Sequence, residues 1–269
     1  MRILVSNDDG ISAPGIVALA SAAGEFGSVI VAAPNRERSA ASHSLTIGTP
    51  LRMNKVRFPV PVSEAYSVSG TPSDCVKLAM SQGMDSPPDL ILSGINRGAN
   101  VSVDIFYSGT VAAAFEGVFD DIPAVAFSLD TWDSGADFAH AQRWVKKTLA
   151  RLIDSNLLDK RILFNVNIPD LSPRKVKGFR FTRMGRVRYR DSYERRHDPG
   201  GHPYFWLKGA VEILDEDPDC DINALKDGYV SVTPIRPELT AFEVLDAFSE
   251  VPAKAGRKKR SPVSRCRKG

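Results

Sequence analysis

The sequence predicts an α/β fold in which helices cover both faces of a mostly parallel sheet. Its strands are predicted from short runs of consecutive apolar residues, such as 2–6 and 28–33, which are typical of strands buried on both faces. Several of these runs are followed by segments with helical spacing of apolar residues, of which 136–153 is the clearest. This alternation indicates parallel strands that are joined by helical crossovers.

The individual elements follow in chain order. Strands are predicted at apolar or alternating runs: 2–6, 28–33, 46–58, 65–69, 89–93, 123–129, 161–168 and 228–234. Helices are predicted at 15–26, 71–82, 107–119, 136–153 and 238–248. The second helix has the most complete start signal, because Thr71 can cap it, Pro72 occupies the first helical position and Asp74 completes a capping box. The polar stretches 35–44 and 94–100 are predicted as loops.

The pattern changes after Pro173, where we expect an extended arm or hairpin over about residues 174–210. Residues 186–202 are strongly charged, and 204–207 are aromatic and strand-like. Aromatic residues on a projecting hairpin favour contact with a partner subunit, so that the arm would serve in oligomerisation. The alternative is a local mini-sheet packed on its own core.

Charge separates a body, residues 1–253, which we interpret as a single α/β domain, from a basic tail, residues 254–269. The tail holds eight basic residues and no acidic one, so the body keeps 27 basic against 32 acidic residues. The net charge of +3 is therefore due to the tail, and the body shows no basic excess for a nucleic-acid-binding face. We expect the tail to be disordered, with nucleic-acid contact through it as a minor alternative.

The composition predicts a cytoplasmic location. The three cysteines, Cys75, Cys220 and Cys266, show no CxxC spacing, which argues against a disulfide framework or a zinc site and is typical of a reducing compartment. No apolar run reaches the length of a membrane span, and the chain enters its first strand at once. Neither a membrane anchor nor a signal peptide is therefore expected.

Two adjacent carboxylates, Asp8 and Asp9, follow the first predicted strand. Like charges this close repel each other unless a cation or a shared proton compensates. Ligands of open α/β sheets bind at the carboxyl ends of the strands, so a divalent metal ion is one interpretation. A solvated acidic turn is the alternative, because Asn, Asp and Gly are common turn residues.

Polar residues after two further strands favour the metal site. Ser39 lies in the loop after strand 28–33, and Asn96 follows strand 89–93. Right-handed crossovers bring these loops to the same edge of the sheet as Asp8 and Asp9. Oxygen ligands that include two carboxylates suit Mg²⁺, Mn²⁺ or Ca²⁺ and disfavour zinc or copper.

The stretch 107–110, Tyr-Ser-Gly-Thr, predicts an anion site at a helix N-terminus. Ser108 and Thr110 flank Gly109, and the free N–H groups and the helix dipole favour phosphate there. A plain Ser/Thr cap is the alternative. A metal ion beside a phosphate site implies phosphate-ester hydrolysis, in which Asp8 and Asp9 are the catalytic carboxylates and act as metal holders.

Other motifs that begin with early acidic residues do not match. A response-regulator receiver needs a phosphoacceptor Asp after the third core strand, where this chain has Ser-Gly-Ile-Asn, and haloacid-dehalogenase-like phosphatases use Asp-x-Asp, whereas Gly10 stands two residues after Asp8. The sequence contains no G-x-G-x-x-G, Walker A or G-x-S-x-G motif. His43, in the Ser39 loop, is either a proton donor to a leaving alkoxide or an exposed loop histidine.

Six motifs occur in one order along the chain: ILVSNDDGISAPGI, RSAASHSLT, SGTPSDCVKLA, PDLILSGINRGANVSVDIFYSGTVAAAFEG, FNVNIP and GYVSVTPI. Together they resemble the SurE family of survival-protein nucleotidases, from residue 2 to about 248 and without the tail. The resemblance implies a Rossmann-like α/β core and a C-terminal part whose extended elements exchange between subunits, which gives homodimers and often homotetramers.

The resemblance also implies the activity and the site. Family members are metal-dependent phosphatases of nucleoside 5′-monophosphates, and some also cleave 3′-nucleotides or short polyphosphate. The matching motifs imply that one divalent ion, Mg²⁺ or Mn²⁺, is held by Asp8, Asp9, Ser39 and Asn96, and that phosphate contacts Asn96, Ser108, Gly109 and Thr110. The family usually has a small-residue or glycine-containing loop after the serine, whereas Ala-Ala-Ser-His follows Ser39 here, so no role is transferred to His43.

We therefore expect a cytoplasmic 5′-nucleotidase, a phosphoric monoester hydrolase that converts a nucleoside 5′-monophosphate and water into nucleoside and phosphate. The alternative from another functional class is a metal-dependent nucleotide sensor that binds its ligand without turnover.

Overall fold

A computed structural model describes residues 1–158 and 161–249 of the chain. The chain divides into two compact units, Met1–Pro237 and Glu238–Gly269. In the second unit the structure describes one helix, Phe242–Ser249. The basic tail expected at 254–269 lies outside the described residues.

A nine-stranded sheet forms the centre of the first unit. The strands of the unit are β1 Arg2–Ser6, β2 Ser28–Pro34, β3 Met53–Lys55, β4 Glu64–Val68, β5 Leu90–Arg97, β6 Ala124–Asp130, β7 Leu163–Pro169, β8 Phe179–Phe181, β9 Val187–His197, β10 Pro203–Ile213 and β11 Val230–Ile235. The order in the sheet is β3-β4-β2-β1-β5-β6-β7-β11-β8. All neighbours are parallel except β3 with β4 and β7 with β11, so the prediction of a mostly parallel sheet is confirmed.

Helices cover both faces of this sheet, as predicted. They are α1 Pro14–Ala23, α2 Pro72–Leu78, α3 Gly109–Phe119, α4 Ala139–Asp154 and α5 Asp221–Lys226, with α6 the helix of the second unit. Ile16 of α1 and Leu149 of α4 belong to the core on one face, and Val76 of α2 and Val111 of α3 to the core on the other. Within the described part of the chain, none of the helices combines the length and the apolar character needed to cross a bilayer.

The order of the strands creates a crevice beside β1. The chain builds outward from β1 through β2 on one side and returns to place β5 on the other side. The loops that follow β1 and β5 therefore diverge at the carboxyl edge of the sheet. Such a point, where the strand order reverses, is where open α/β sheets bind their ligands.

Two predictions about local structure were wrong. Residues 94–97, predicted as loop, continue β5, because β5 pairs with β6 again at Asn96 after an irregularity that follows Ser93. Of the predicted strand 46–58, only Met53–Lys55 is a strand. The backbone N–H of Thr46 instead binds the carboxylate of Asp74, and that of Arg52 binds the hydroxyl of Ser69, so side chains replace the ladder partners there.

The predicted helix 71–82 is divided, because α2 ends at Leu78 and a π-helical turn continues over Ala79–Gly83. Two short elements were not predicted from the sequence: Ser102–Phe106 forms a 3₁₀ helix, and Asp221–Lys226 forms α5. Each is a single short turn or two, and elements of that length carry too few residues for apolar periodicity to be visible in a sequence.

The predicted arm is a hairpin that starts and ends later than expected. Strands β9 and β10 pair only with each other over residues 187–213, while Phe179–Phe181, which lies inside the predicted arm, pairs with β11 in the main sheet. Large apolar side chains of the hairpin are exposed: Tyr189, Tyr193, Tyr204, Phe205, Trp206, Leu207 and Val211. Because they are exposed, the hairpin has no core of its own.

Candidate active site

A cleft of about 500 Å³ opens at the carboxyl edge of β1 and β5. Five of the predicted site residues line it: Asp8, Asp9, Ser39, Asn96 and Ser108. They come from four separate stretches of the chain, and the topology of the sheet brings them together. The volume is in the range of pockets that bind small organic ligands.

Asp8 is held rigidly at the floor of the cleft by the start of α3. Its carboxylate accepts the hydroxyl of Thr110 at 2.5 Å and the backbone N–H of Thr110 at 3.1 Å. Gly109 makes this approach possible, because a Cβ at that position would lie 2.9 Å from Oδ2 of Asp8. The side chain of Asp8 is therefore fixed by α3 before any ligand binds.

The carboxylates of Asp8 and Asp9 lie close together, and little positive charge in the protein compensates their negative charges. Burial raises the pKa of Asp8 above its ordinary value. Burial and the neighbouring Asp8 raise the pKa of Asp9 to about 6, and the N–H of Arg97, 3.3 Å from Oδ2 of Asp9, opposes this rise. Raised pKa values in both groups show that their negative charges lack a sufficient partner within the protein.

Asn96 and Ser39 supply neutral oxygen atoms beside the carboxylates. Nδ2 of Asn96 donates to the carbonyl oxygen of Gly98 at 2.8 Å, so Oδ1 is the atom that a cation would meet. The hydroxyl of Ser39 donates to Glu37 at 2.6 Å, which directs its proton away and leaves its lone pairs for a ligand. Glu37 itself lines the cleft, although the sequence analysis did not select it.

These residues fit a hard divalent cation. Within residues 1–158 and 161–249, no three His, Cys, Asp or Glu side chains are grouped so that they could hold a metal ion by themselves. A metal ion in the cleft would therefore be held by the two carboxylates together with the amide and hydroxyl oxygens, and water would complete the coordination. An all-oxygen set of this kind is typical of Mg²⁺ or Mn²⁺, and a cation would compensate the two destabilised carboxylates.

Two residues at the start of α3, Ser108 and Thr110, have different contacts. Ser108 lines the cleft and caps the helix, since its Oγ accepts the N–H of Val111 at 3.1 Å. Thr110 is fully buried and does not line the cleft, because both of its donors are directed at Asp8. In this geometry Thr110 positions a carboxylate, whereas Ser108 is exposed to a ligand in the cleft.

His43 lies away from the residues that line the cleft. Its Nε2 is 2.7 Å from the carboxylate of Glu116, a buried residue of α3 that also binds Lys77 at 3.3 Å. The imidazole stacks on Phe119 with ring centroids 5.3 Å apart. His43 therefore connects the loop that carries Ser39 to α3, and its imidazole is neither free of partners nor among the residues that line the cleft.

A Tyr–Asp pair connects the hairpin to the cleft. The hydroxyl of Tyr189, in β9, donates to Oδ1 of Asp104 at 2.5 Å, and both residues line the cleft. Burial raises the pKa of Asp104 in spite of this bond. Sequence reasoning missed both residues, because the contact joins positions 85 residues apart and neither position carries a local signal.

The motif FNVNIP supports the loop that lines the cleft after β5. Asn165 and Asn167 of β7 donate to the carbonyl oxygen of Asn100 at 2.7 and 3.0 Å. Oδ1 of Asn167 also accepts the N–H of Asn100, whose own side chain donates to Ser128. A buried amide network therefore fixes Asn100 at the wall of the cleft.

Asp221 plays a similar part for the 3₁₀ helix that carries Asp104. Its buried carboxylate accepts the N–H groups of Ser102, Gly185 and Ile222, each at 2.8 Å. One side chain thus joins the cleft wall, the segment that leads into the hairpin and the start of α5. The sequence gives no sign of this arrangement, since Ser102 and Asp221 are 119 residues apart.

Comparison with known proteins shows the family of the chain. The family model described as "Survival protein SurE" matches residues 3–191. The protein named 5′-nucleotidase SurE from Moorella thermoacetica is 47% identical over 242 residues, which cover 90% of this chain and 92% of the relative. Its namesake from Syntrophomonas wolfei is 42% identical over 248 residues, with 92% and 93% covered.

A solved structure shares the fold as well. The crystal structure of the SurE protein from Aquifex aeolicus superposes with a TM-score of 0.80 at 36% sequence identity, covering 93% of this chain and 98% of that one. The α/β fold with its mostly parallel sheet, the cleft at the switch point and these similarities lead to one conclusion. The chain belongs to the SurE survival-protein family.

Proposed function

We propose that this protein is a metal-dependent phosphatase that hydrolyses nucleoside 5′-monophosphates to nucleoside and phosphate. The observation that carries the proposal is geometric: Asp8 and Asp9 line one cleft together with Ser108 at the start of α3. The relatives in Moorella and Syntrophomonas that match nearly the whole chain are named 5′-nucleotidases.

The proposed mechanism assigns a task to each group of side chains. Asp8, Asp9, Asn96 and Ser39 would hold one Mg²⁺ or Mn²⁺ ion, which when bound supplies Lewis-acid polarisation of phosphate and acidifies nearby water. Ser108 and the N–H of Gly109 bind phosphate oxygens at the positive end of α3. Thr110 keeps Asp8 in place, so that the phosphate is met by a preorganised site.

Phosphate release from AMP or GMP tests this proposal. We expect release with Mn²⁺ or Mg²⁺ and none in EDTA, with activity restored when the metal is added back. Nucleotide binding without release under all metal conditions would favour the nucleotide sensor and contradict the phosphatase. A panel with 3′-nucleotides and short polyphosphate tests whether the proposed substrate range extends to them.

We also propose that the hairpin of β9 and β10 serves in a homodimer or homotetramer. Its exposed aromatic side chains support this, since contiguous exposed apolar surface of this kind is typical of protein–protein contacts. A cytoplasmic location is proposed together with the activity, on the basis of the cysteine usage of the sequence.

A further inference from the structure

Trp132 is placed at the cleft with its indole ring in water. Trp132 is 88% exposed, more than any other aromatic residue in 1–158 and 161–247, where the structure describes side-chain exposure, and it nevertheless lines the same cleft as Asp8 and Asp9. Indole has a large apolar surface that folding normally buries at least in part. A tryptophan left open at a ligand cleft, outside the ligand set for metal and phosphate, needs a role of its own.

The indole is close to the predicted metal ligand Asn96. A Cβ built on Gly98 would lie 3.7 Å from the ring of Trp132 and 3.9 Å from Nδ2 of Asn96. Both distances start from the same Cβ position on Gly98, so the indole ring of Trp132 and Nδ2 of Asn96 can be no farther apart than the sum of the two. Gly98 itself has no side chain to fill the space between them.

The loop that carries Trp132 is held by its own hydrogen bonds. The N–H of Thr131 donates to the carbonyl oxygen of Leu129 at 2.8 Å, and the hydroxyl of the buried Thr131 accepts the N–H of Asp133 at 3.3 Å. Asp133 in turn accepts the N–H of Gly135 at 2.9 Å. These bonds flank Trp132 on both sides, so the ring is presented by a structured turn.

In a nucleoside 5′-monophosphate, a single ribose separates the phosphate from the base. A phosphate bound beside Asn96 therefore places its base within reach of the indole of Trp132. Aromatic rings stack on any base, since every base has a π-face, and the strength of stacking grows with the area of overlap. We propose that Trp132 is the stacking platform for the nucleobase of the substrate, which makes the site tolerant of base identity with a preference for purines.

This inference rests on the proposed nucleotidase function, and kinetics of Trp132→Ala and Trp132→Phe separate the two. We expect Trp132→Ala to lower kcat/KM for AMP about tenfold or more, mainly through KM, because stacking acts equally on bound substrate and transition state. Trp132→Phe should stay within about threefold of wild type, since it keeps an aromatic face. The inhibition constant of orthophosphate, which has no base, should be the same in all three proteins.

Binding of adenosine provides a readout that needs no turnover. In the metal-free protein we expect adenosine to quench tryptophan fluorescence in wild type but not in Trp132→Ala, in which Trp144 and Trp206 still emit. Adenosine should also inhibit AMP hydrolysis less strongly in Trp132→Ala than in Trp132→Phe. An unchanged KM for AMP in Trp132→Ala, or the same adenosine quenching in it as in wild type, would overturn the inference.

A failure of the proposed function is recognised separately. If wild type releases no phosphate from AMP with Mn²⁺, the phosphatase proposal is wrong, and the adenosine titration alone then decides the role of Trp132. If AMP is hydrolysed and Trp132→Ala loses activity equally toward AMP and toward ribose 5-phosphate, the nucleotidase stands and the base platform is wrong.

Discussion

Thr110 holds Asp8 through two hydrogen bonds, from its hydroxyl at 2.5 Å and from its backbone N–H at 3.1 Å. The pair links the first strand to a helix that begins about a hundred residues later. The orientation of the Asp8 carboxylate therefore depends on a contact between residues that are distant in the chain. We expect the affinity for a ligand at Asp8 to depend on this contact.

The first prediction removes only the hydroxyl of this pair. Thr110→Val keeps the size of the side chain but loses the bond to Oδ1 of Asp8, and loss of such supporting bonds typically weakens metal binding about 10- to 100-fold. We expect the Mn²⁺ concentration for half-maximal phosphate release to rise accordingly. Thr110→Ser, which retains the hydroxyl, is the matched control and should remain close to wild type. Equal Mn²⁺ dependence of Thr110→Val and wild type would contradict the positioning role.

The second prediction concerns Asp8 itself. Asp8→Asn should lower kcat/KM at least about 100-fold, since it removes the charge of a proposed metal ligand. Burial raises the pKa of Asp8, so the carboxylate is costly to fold in the charged form, and the neutral amide should not lower Tm of the metal-free protein. Saturating Mn²⁺ should raise Tm of wild type through binding to the folded state and leave that of Asp8→Asn unchanged. Near-full turnover of the variant at saturating metal would show that the assignment is wrong.

The third prediction is a pH dependence that arises at Glu116. Burial acts to raise the pKa of this carboxyl, but the hydrogen bond from His43 and the charge of Lys77 hold it below its ordinary value of 4.5. A carboxyl with a lowered pKa in the folded state adds stability above its unfolded pKa, and that stability is lost as pH falls through the folded value.

Glu116→Gln should therefore be less stable than wild type by about 1.5–3 kcal/mol at neutral pH, as expected for a buried charged hydrogen-bond acceptor. The difference should shrink as the pH is lowered below 4.5, which urea unfolding at several pH values measures. Glu212→Gln, whose partners are exposed arginines, serves as control and should change stability little. A difference that does not vary with pH would contradict the assignment.

The fourth prediction addresses the loop that carries Ser39. Ala40 has a φ of 55°, in the left-handed region that disfavours residues with a Cβ by about 1–2 kcal/mol. Ala40→Gly relieves this strain, although glycine also increases the entropy of the unfolded chain. Ala41, which is not in the left-handed region, offers the matched control. We expect Ala40→Gly to be more stable than Ala41→Gly by about 1 kcal/mol in thermal or urea unfolding, and a reversed order would contradict the strain.

The fifth prediction tests the proposed use of the hairpin. Phe205 and Leu207 lie on the same face of β10 and are 58% and 62% exposed. Replacing both by Ser removes apolar area from that face, so light scattering after gel filtration should show a smaller species than wild type. Arg196→Ala on the same hairpin is the control and should keep the wild-type mass. An unchanged mass of the double variant would place the interface elsewhere.

Much of the site could be predicted from the sequence, because its chemistry lies at the ends of core strands. Asp8 and Asp9 follow a strand that is recognisable from its apolar run, and Asn96 follows another. The carboxyl ends of neighbouring parallel strands lie at the same edge of a sheet. Recognising the two strands in the sequence was therefore enough to predict that these side chains lie at one edge. Asn96 lines the cleft even though residues 94–97 form strand and not loop.

Contacts between distant residues could not be predicted in this way. His43 had two possible roles in the sequence, and its partner Glu116, 73 residues away, decided for a structural one. Thr110 was expected at the phosphate and in the structure donates to Asp8. Trp132 carries no motif, since exposure of a single aromatic residue depends on how neighbouring loops fold around it.

The sequence by itself determined the α/β class, the order of the core strands along the chain and the hard-oxygen character of the site, because periodicity and residue chemistry are local properties. Only the tertiary structure decided which donors line the cleft and which bind Asp8, where the hairpin begins, and that Trp132 lies at the cleft. These features depend on contacts between residues that are far apart in the chain, and the packing of the helices on the sheet determines those contacts.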